Sequence, residues 1–128
     1  WRRVLSDCVF CTIDKKRIIF KDELFFVIRD IYPVTNLHTL IIPKRHIISF
    51  FDLVEDEKIK LNKIIEEQRT LLLSEDTSIT GFNIGVNDGE DAGQTVMHCH
   101  IHLIPRRKGD VKNPRGGIRG VIPEMQGY

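Results

Sequence analysis

Along the chain, short apolar runs alternate with polar breaks, a pattern that predicts strands towards both ends and one helix between them. Arg-Ile-Ile-Phe at 17–20 and Leu-Phe-Phe-Val-Ile at 24–28 are rich in β-branched and aromatic residues. Lys21-Asp22-Glu23 separates them, so the pair predicts a hairpin. Asp30-Ile31-Tyr32-Pro33 ends the second run, because proline has no N–H to give a ladder. A third strand is expected over 38–42, stopping at Pro43. Over 55–73, Ile59, Leu61, Ile64, Ile65, Leu72 and Leu73 recur at helical spacing among lysines and glutamates, which predicts the one clear helix. Asp52 and Asp56 are both candidates for its cap. Residues 81–86 read as a fourth strand, 87–94 as a polar loop and 97–104 as a fifth strand. The tail from Pro105 is rich in Arg, Lys, Gly and Pro and is expected to run over the surface. The order β-β-β-α-β-β predicts an α+β domain with a mostly antiparallel sheet.

Composition narrows the function classes. At 128 residues, a single domain over 1–128 is expected, with about 105–128 as its basic tail. The chain is 41% hydrophobic and 29% charged, ordinary values for a globular core with a charged surface. A net charge of +1 implies no general attraction to nucleic acid or membrane. No apolar run reaches the roughly 18 residues of a membrane span. The start Trp1-Arg2-Arg3-Val4-Leu5-Ser6-Asp7 lacks a signal peptide's apolar segment, and without an initiator Met it reads as trimmed. A cytoplasmic protein is expected. Three cysteines do not make a disulfide framework.

The chemistry concentrates at His98-Cys99-His100-Ile101-His102. In a strand, residues two apart share a face, so three imidazoles line one side while Cys99, Ile101 and Leu103 turn to the core. Three of the five histidines fall within five residues, which speaks against chance. His-x-His pairs suit zinc. A neutral imidazole, with an ordinary pKa of about 6.5, also suits nucleophilic catalysis near neutral pH. On spacing alone the two readings stand level. A second group, Cys8-Val9-Phe10-Cys11, reads as two zinc ligands awaiting two histidines. A redox reading would need a thioredoxin-like context that this chain does not show.

The pattern His-φ-His-φ-His-φ-φ, with φ apolar, resembles the histidine-triad (HIT) family. Gly93-Gln94-Thr95-Val96 before it is similar as well. Upstream, Asp30-Ile31-Tyr32-Pro33 and the run from Leu37 to His46 resemble the Hint branch, so the likeness spans Cys8 to about Arg107. The resemblance implies a HIT-like fold with one long helix and a short N-terminal helix. It implies that His100 attacks the α-phosphate of a purine nucleotide and carries a nucleotidyl intermediate. His98 would set the tautomer of His100 through its carbonyl, His102 would contact the phosphate or leaving group, and His38 would support the triad. Asn87, Gln94 and Thr95 match phosphate contacts, Asp30 a carboxylate that holds the ribose hydroxyls, and Ile31 a wall of the base pocket. Some zinc-bearing relatives resemble the chain at Cys8, Cys11, His46 and His98, which implies a closed structural Zn2+ site. Family members are usually twofold dimers, so a homodimer is expected.

The tail Pro105-Arg106-Arg107-Lys108-Gly109-Asp110 is more similar to the Fhit branch, which implies dinucleoside polyphosphates such as diadenosine tetraphosphate as substrates. Arg and Lys there are candidates to meet the far phosphates. The end from Arg115 to Pro123 resembles bacterial members described as diadenosine tetraphosphate hydrolases. The other functions in view are a purine nucleoside phosphoramidase, a nucleotidyltransferase or phosphorylase, and a nucleotide-binding regulatory module with little turnover.

Overall fold

A computed structural model describes residues 6–128, and most of the start read for a leader lies outside the described residues. The elements are β1 (Ile18–Lys21), β2 (Phe25–Arg29), β3 (Thr39–Pro43), α1 (Glu55–Glu75), β4 (Ile79–Gly85) and β5 (Ile101–Arg107), with short 3-10 turns between them. One such turn, Lys15–Arg17, is the short N-terminal helix. The strands form a single sheet in the order β1-β2-β3-β5-β4, and each neighbouring pair is antiparallel. The fold is the expected α+β arrangement. No helix among the described residues is long and apolar enough to cross a membrane.

Local chemistry explains the elements. The β1–β2 hairpin closes because an Asp22 carboxylate oxygen accepts from the N–H groups of Leu24 and Phe25, both at 2.8 Å. Strands β2 and β3 are buried on both faces. Phe25, Val27 and Ile41 meet Leu61 and Ile64 of α1 on one side. On the other side Phe26, Ile28, Leu40 and Ile42 are covered by Phe10 and Ile13 of the N-terminal segment. The sheet is therefore sandwiched, with the helix behind it and the Cys8–Cys11 turn in front.

Three expectations need correction. Neither Asp52 nor Asp56 caps α1. Val54 holds the cap position, and its N–H donates to a Glu57 carboxylate oxygen at 2.9 Å. Glu57 is itself buried, and it tolerates this because Arg45 grips it with two hydrogen bonds of 2.9 and 2.7 Å. The inward stripe of α1 is Glu57, Leu61, Ile64, Gln68 and Leu72, while Ile59 faces solvent. The fifth strand begins at Ile101 and not at Met97, so His98 and His100 lie in its approach. It also runs through Pro105. Pairing with β3 ends at Leu103, so Pro105 has β4 as its only strand neighbour, and the Thr35 hydroxyl caps its carbonyl at 2.6 Å.

Candidate active site and metal centre

The approach to β5 is held at both faces. The Cys99 N–H donates to the Ile47 carbonyl at 2.7 Å, and its side chain is buried against Ile101 under α1. That anchoring turns His98, His100 and His102 to the opposite side, as the alternation predicts. Burial also pushes the Cys99 thiol up to about 12, so it stays protonated and inert.

His98 is fully buried. Its Nε2–H donates to the Pro43 carbonyl at 2.8 Å, which leaves Nδ1 as a lone pair. That nitrogen lies 3.5 Å from the Cys8 sulfur, 3.6 Å from the Cys11 sulfur and 3.1 Å from His46 Nδ1. Cys11 and His46 are 3.3 Å apart. All four ligand atoms fall within 4.8 Å of one another. Tetrahedral zinc, with bonds of about 2.0–2.3 Å, needs ligand atoms separated by about 3.3–3.8 Å. The observed spacing fits this set, and the Pro43 carbonyl is the outer partner such a ligand histidine requires. Cys8 and Cys11 are presented by a tight turn closed by Thr12 N–H to the Cys8 carbonyl.

His100 sits between two rings. Phe10 meets it edge-on, with centroids 5.0 Å apart, and His102 meets it at 5.2 Å. Its Nδ1 is 2.8 Å from the His98 carbonyl, an acceptor only, so Nδ1 carries the proton and Nε2 is a lone pair. Beyond His102 lies His38, which is buried. Its Nδ1 accepts from the Val34 N–H at 3.0 Å, so its proton is on Nε2. That proton points at His102 Nδ1, 2.9 Å away. His102 is thereby left with an Nε2–H that is buried and has no hydrogen-bond partner. Burial, then the neighbouring His100 and His38, lowers the His102 pKa to about 4. Burial also lowers His38, against the pull of Asp30. The chain of bonds therefore delivers one neutral N–H donor next to one imidazole lone pair. The turn before His38 is strained to achieve this: Leu37 is in the left-handed region at φ 71°.

The remaining expected residues divide. One Asp30 oxygen caps the Tyr32 N–H at 2.9 Å, and the other lies 3.5 Å from His38 Nε2. Asp30 is thus both a turn residue and part of the site. Ile31 beside it is exposed. Asn87 borders the same opening as His38 and His102. Thr95 is exposed on the loop before His98. Gln94, the expected phosphate contact, is engaged within the fold. It is buried, its amide oxygen accepts from the Gly89 N–H at 2.9 Å, and its amide nitrogen serves the Ile48 and Val96 carbonyls. Its side chain shapes the loop. Arg106 and Arg107 are also committed to the fold, Arg106 to Asp110 and Asn83, Arg107 to Asp76 and the Asn36 carbonyl.

Sequence reasoning missed two features. Phe10 was read only as a spacer between cysteines, yet it packs on both His98 and His100. The tail was expected to wander over the surface. Instead a 3-10 turn, Gly117–Val121, comes back to wall a cleft of about 530 Å³ beside His38 and His102. The paired glycines Gly116 and Gly117, both at positive φ, were the available signal.

The HIT domain family model matches residues 12–109. A zinc-bound histidine triad family protein from Mycobacterium smegmatis is 36% identical, with a TM-score of 0.74 over 84% of this chain and 80% of that one. The nitrilase and fragile histidine triad fusion protein of Caenorhabditis elegans is 39% identical over 77% of this chain and 22% of its own length. The Plasmodium falciparum diadenosine triphosphate hydrolase is 27% identical, with a TM-score of 0.72 over 89% of this chain and 71% of that one.

Proposed function

This chain belongs to the HIT domain family, a superfamily of nucleotide hydrolases and transferases, and from that footing we propose that it hydrolyses nucleotides at the α-phosphorus through His100. The observation that carries the reading is the 2.8 Å bond between His100 Nδ1–H and the His98 carbonyl, which aims an unprotonated Nε2 into the site. Nε2 forms a bond to phosphorus while the bond to the leaving group breaks, and the leaving atom departs with the electron pair. Water then attacks the same phosphorus, releases the nucleoside monophosphate and gives up one proton. The His102 Nε2–H donates to an oxygen of the phosphate as charge gathers there. Asp30 accepts from the ribose hydroxyls, Ile31 lies along the base, and Asn87 and Thr95 contact phosphate oxygens.

Cys8, Cys11, His46 and His98 hold Zn2+ in this reading. The metal supplies a structural tie between the N-terminal turn and the approach to β5, and through it fixes the carbonyl that orients His100. A homodimer in the cytoplasm belongs to the same reading. The outer edge of β4 has no strand partner among the described residues and is available to a second copy.

Dinucleoside polyphosphates such as diadenosine tetraphosphate are the first substrate reading, supported by the fragile-histidine-triad and diadenosine triphosphate hydrolase relatives. One observation favours nucleoside phosphoramidates as the second. The cleft beside His102 is lined by no Lys or Arg, and Arg106 and Arg107 of the basic run are paired with Asp110 and Asp76. A panel of diadenosine tetraphosphate, diadenosine triphosphate and adenosine phosphoramidate decides between them. Adenosine monophosphate from any of these supports the hydrolase reading. Nucleotide binding with no product from all three would replace it with a binding module.

A further inference from the structure

The turn from Val34 to His38 is held from the far end of α1. Leu37 carries a β-carbon, and the left-handed backbone at φ 71° is unfavourable for it. A residue keeps such a conformation only where its surroundings over-determine it. Here two consecutive carbonyls of the turn are gripped by side chains from other elements. The Asn36 carbonyl accepts from the Arg107 guanidinium at 3.0 Å. The Leu37 carbonyl accepts from the Thr39 hydroxyl at 2.8 Å, and that hydroxyl accepts in turn from Arg29 Nη1 at 2.7 Å. Thr39 is fully buried, so no water competes for its hydroxyl.

Both arginines lead back to one place. Arg107 donates twice to Asp76, at 3.1 and 2.9 Å, and Arg29 pairs with Glu75 at 3.7 Å. Glu75 is the last residue of α1 and Asp76 is its C-cap. Carboxylates there meet the negative end of the helix dipole, and the last turn has no basic residue to offset them. They are poor helix-end charges and good anchors for two arginines. The effect reaches His38 through the closed turn. His38 N–H donates to the Thr35 carbonyl at 3.1 Å, and Val34 N–H donates to His38 Nδ1 at 3.0 Å. The second of these bonds sends the His38 proton to Nε2 and towards His102. We propose that the Glu75–Arg29–Thr39 and Asp76–Arg107 chains form a clamp that keeps the Leu37 turn closed, and that Arg29, Thr39 and Arg107 are positioning residues for the tautomers of His38 and His102. The clamp acts through backbone carbonyls, two to three bonds removed from the imidazoles. The proposal rests on the reading of His102 as the donor to the phosphate and deepens it.

The test reads the ring tautomers directly, by nitrogen NMR of the whole protein with isotopically labelled histidine. The wild type is expected to show His38 and His102 as single Nε2–H tautomers. Thr39→Val, which keeps the shape and removes the hydroxyl, is combined with Arg107→Met. The folded double variant should show His38 as a mixture of tautomers. On the best substrate of the adenosine panel its kcat should fall about tenfold with KM within about twofold, as loss of orientation and not of binding. Thr39→Ser keeps the hydroxyl and should retain the wild-type tautomers. A folded double variant with His38 still wholly Nε2–H would overturn the clamp, as would Thr39→Ser behaving like Thr39→Val. Should the double variant not fold, Arg107→Met alone, at a part-exposed side chain, decides by the same spectrum: a mixed His38 supports the clamp and an unchanged one overturns it. If the wild type turns over no member of the panel, the hydrolase reading fails by itself, and the tautomers still decide the clamp.

Discussion

The Nδ1 atoms of His46 and His98 lie against two thiols, whereas His38 donates its Nε2–H to His102 Nδ1. Both groups lie in front of the same sheet, and each could gather a cation by the proximity of its atoms. Their partners separate them. The Pro43 carbonyl takes the outer proton of His98, so its inward Nδ1 is an electron-pair donor. In the second, the Val34 N–H fills the outer nitrogen of His38, so the proton is sent inward and passed along to leave His102 as a donor. One backbone group, an acceptor in one case and a donor in the other, turns the same side chain's inward nitrogen into a lone pair or an N–H donor. His100 lies between them and takes its orientation from the His98 carbonyl.

The sharpest break in this comparison is His100→Asn. Turnover is expected to fall about 10⁴-fold or more while nucleotide affinity stays within a few-fold, since the nucleophile is lost and the pocket remains. Substantial residual turnover would place the nucleophile elsewhere. Cys8→Ser combined with Cys11→Ser attacks the other group. Metal analysis should show one zinc per wild-type chain and none in the variant, with a stability loss of about 3 kcal/mol or more. A wild type whose melting is unmoved by a chelator and that carries no metal would remove the zinc assignment. His102→Ala deletes the donor at the end of the relay, and kcat should drop about 10²-fold with KM little changed.

The smallest effect is in pH. Burial and the neighbouring His100 and His38 hold His102 at about 4, well below its ordinary value, with Asp30 opposing. A histidine lowered on folding stabilises the native state above its unfolded pKa of about 6.5, and that stability is lost as pH falls towards 4. Denaturant titrations at pH 7 and pH 5 should therefore differ by about 2 kcal/mol more in the wild type than in His102→Asn. An identical pH dependence would show that His102 is not buried neutral.

The sequence was legible where a local pattern decides the structure. Alternation at 98–103 gave the right faces because Cys99, Ile101 and Leu103 have one apolar side to bury under α1. The hairpin at Asp22 and the long helix followed from rules that act over a few residues. The Cys-x-x-Cys turn and the third strand were legible too, but their meeting with His46 and His98 was supplied by family resemblance. What local patterns left open depended on distant partners. Gln94 has the composition of a phosphate contact, yet carbonyls of Ile48 and Val96 take its amide. Arg106 and Arg107 read as candidates for the far phosphates until Asp110 and Asp76 claim them, and the Ser78 hydroxyl and N–H, followed by Arg107, hold Asp76 down at about 2. The tail's return to the cleft brings Ile118 against Gly85 some thirty residues away, a meeting that no local rule reports.

The central claim is that His100 becomes covalently bonded to phosphorus while its neighbours stay free. Rapid acid-free quenching of the enzyme with a nucleotide substrate labelled at the α-phosphorus, followed by peptide mass spectrometry, reads this directly. The account predicts one nucleoside monophosphate adduct per chain, mapped to His100 and absent in His100→Asn. An adduct on His98 or His102, or full single-turnover product formation with no adduct at any time, would contradict it.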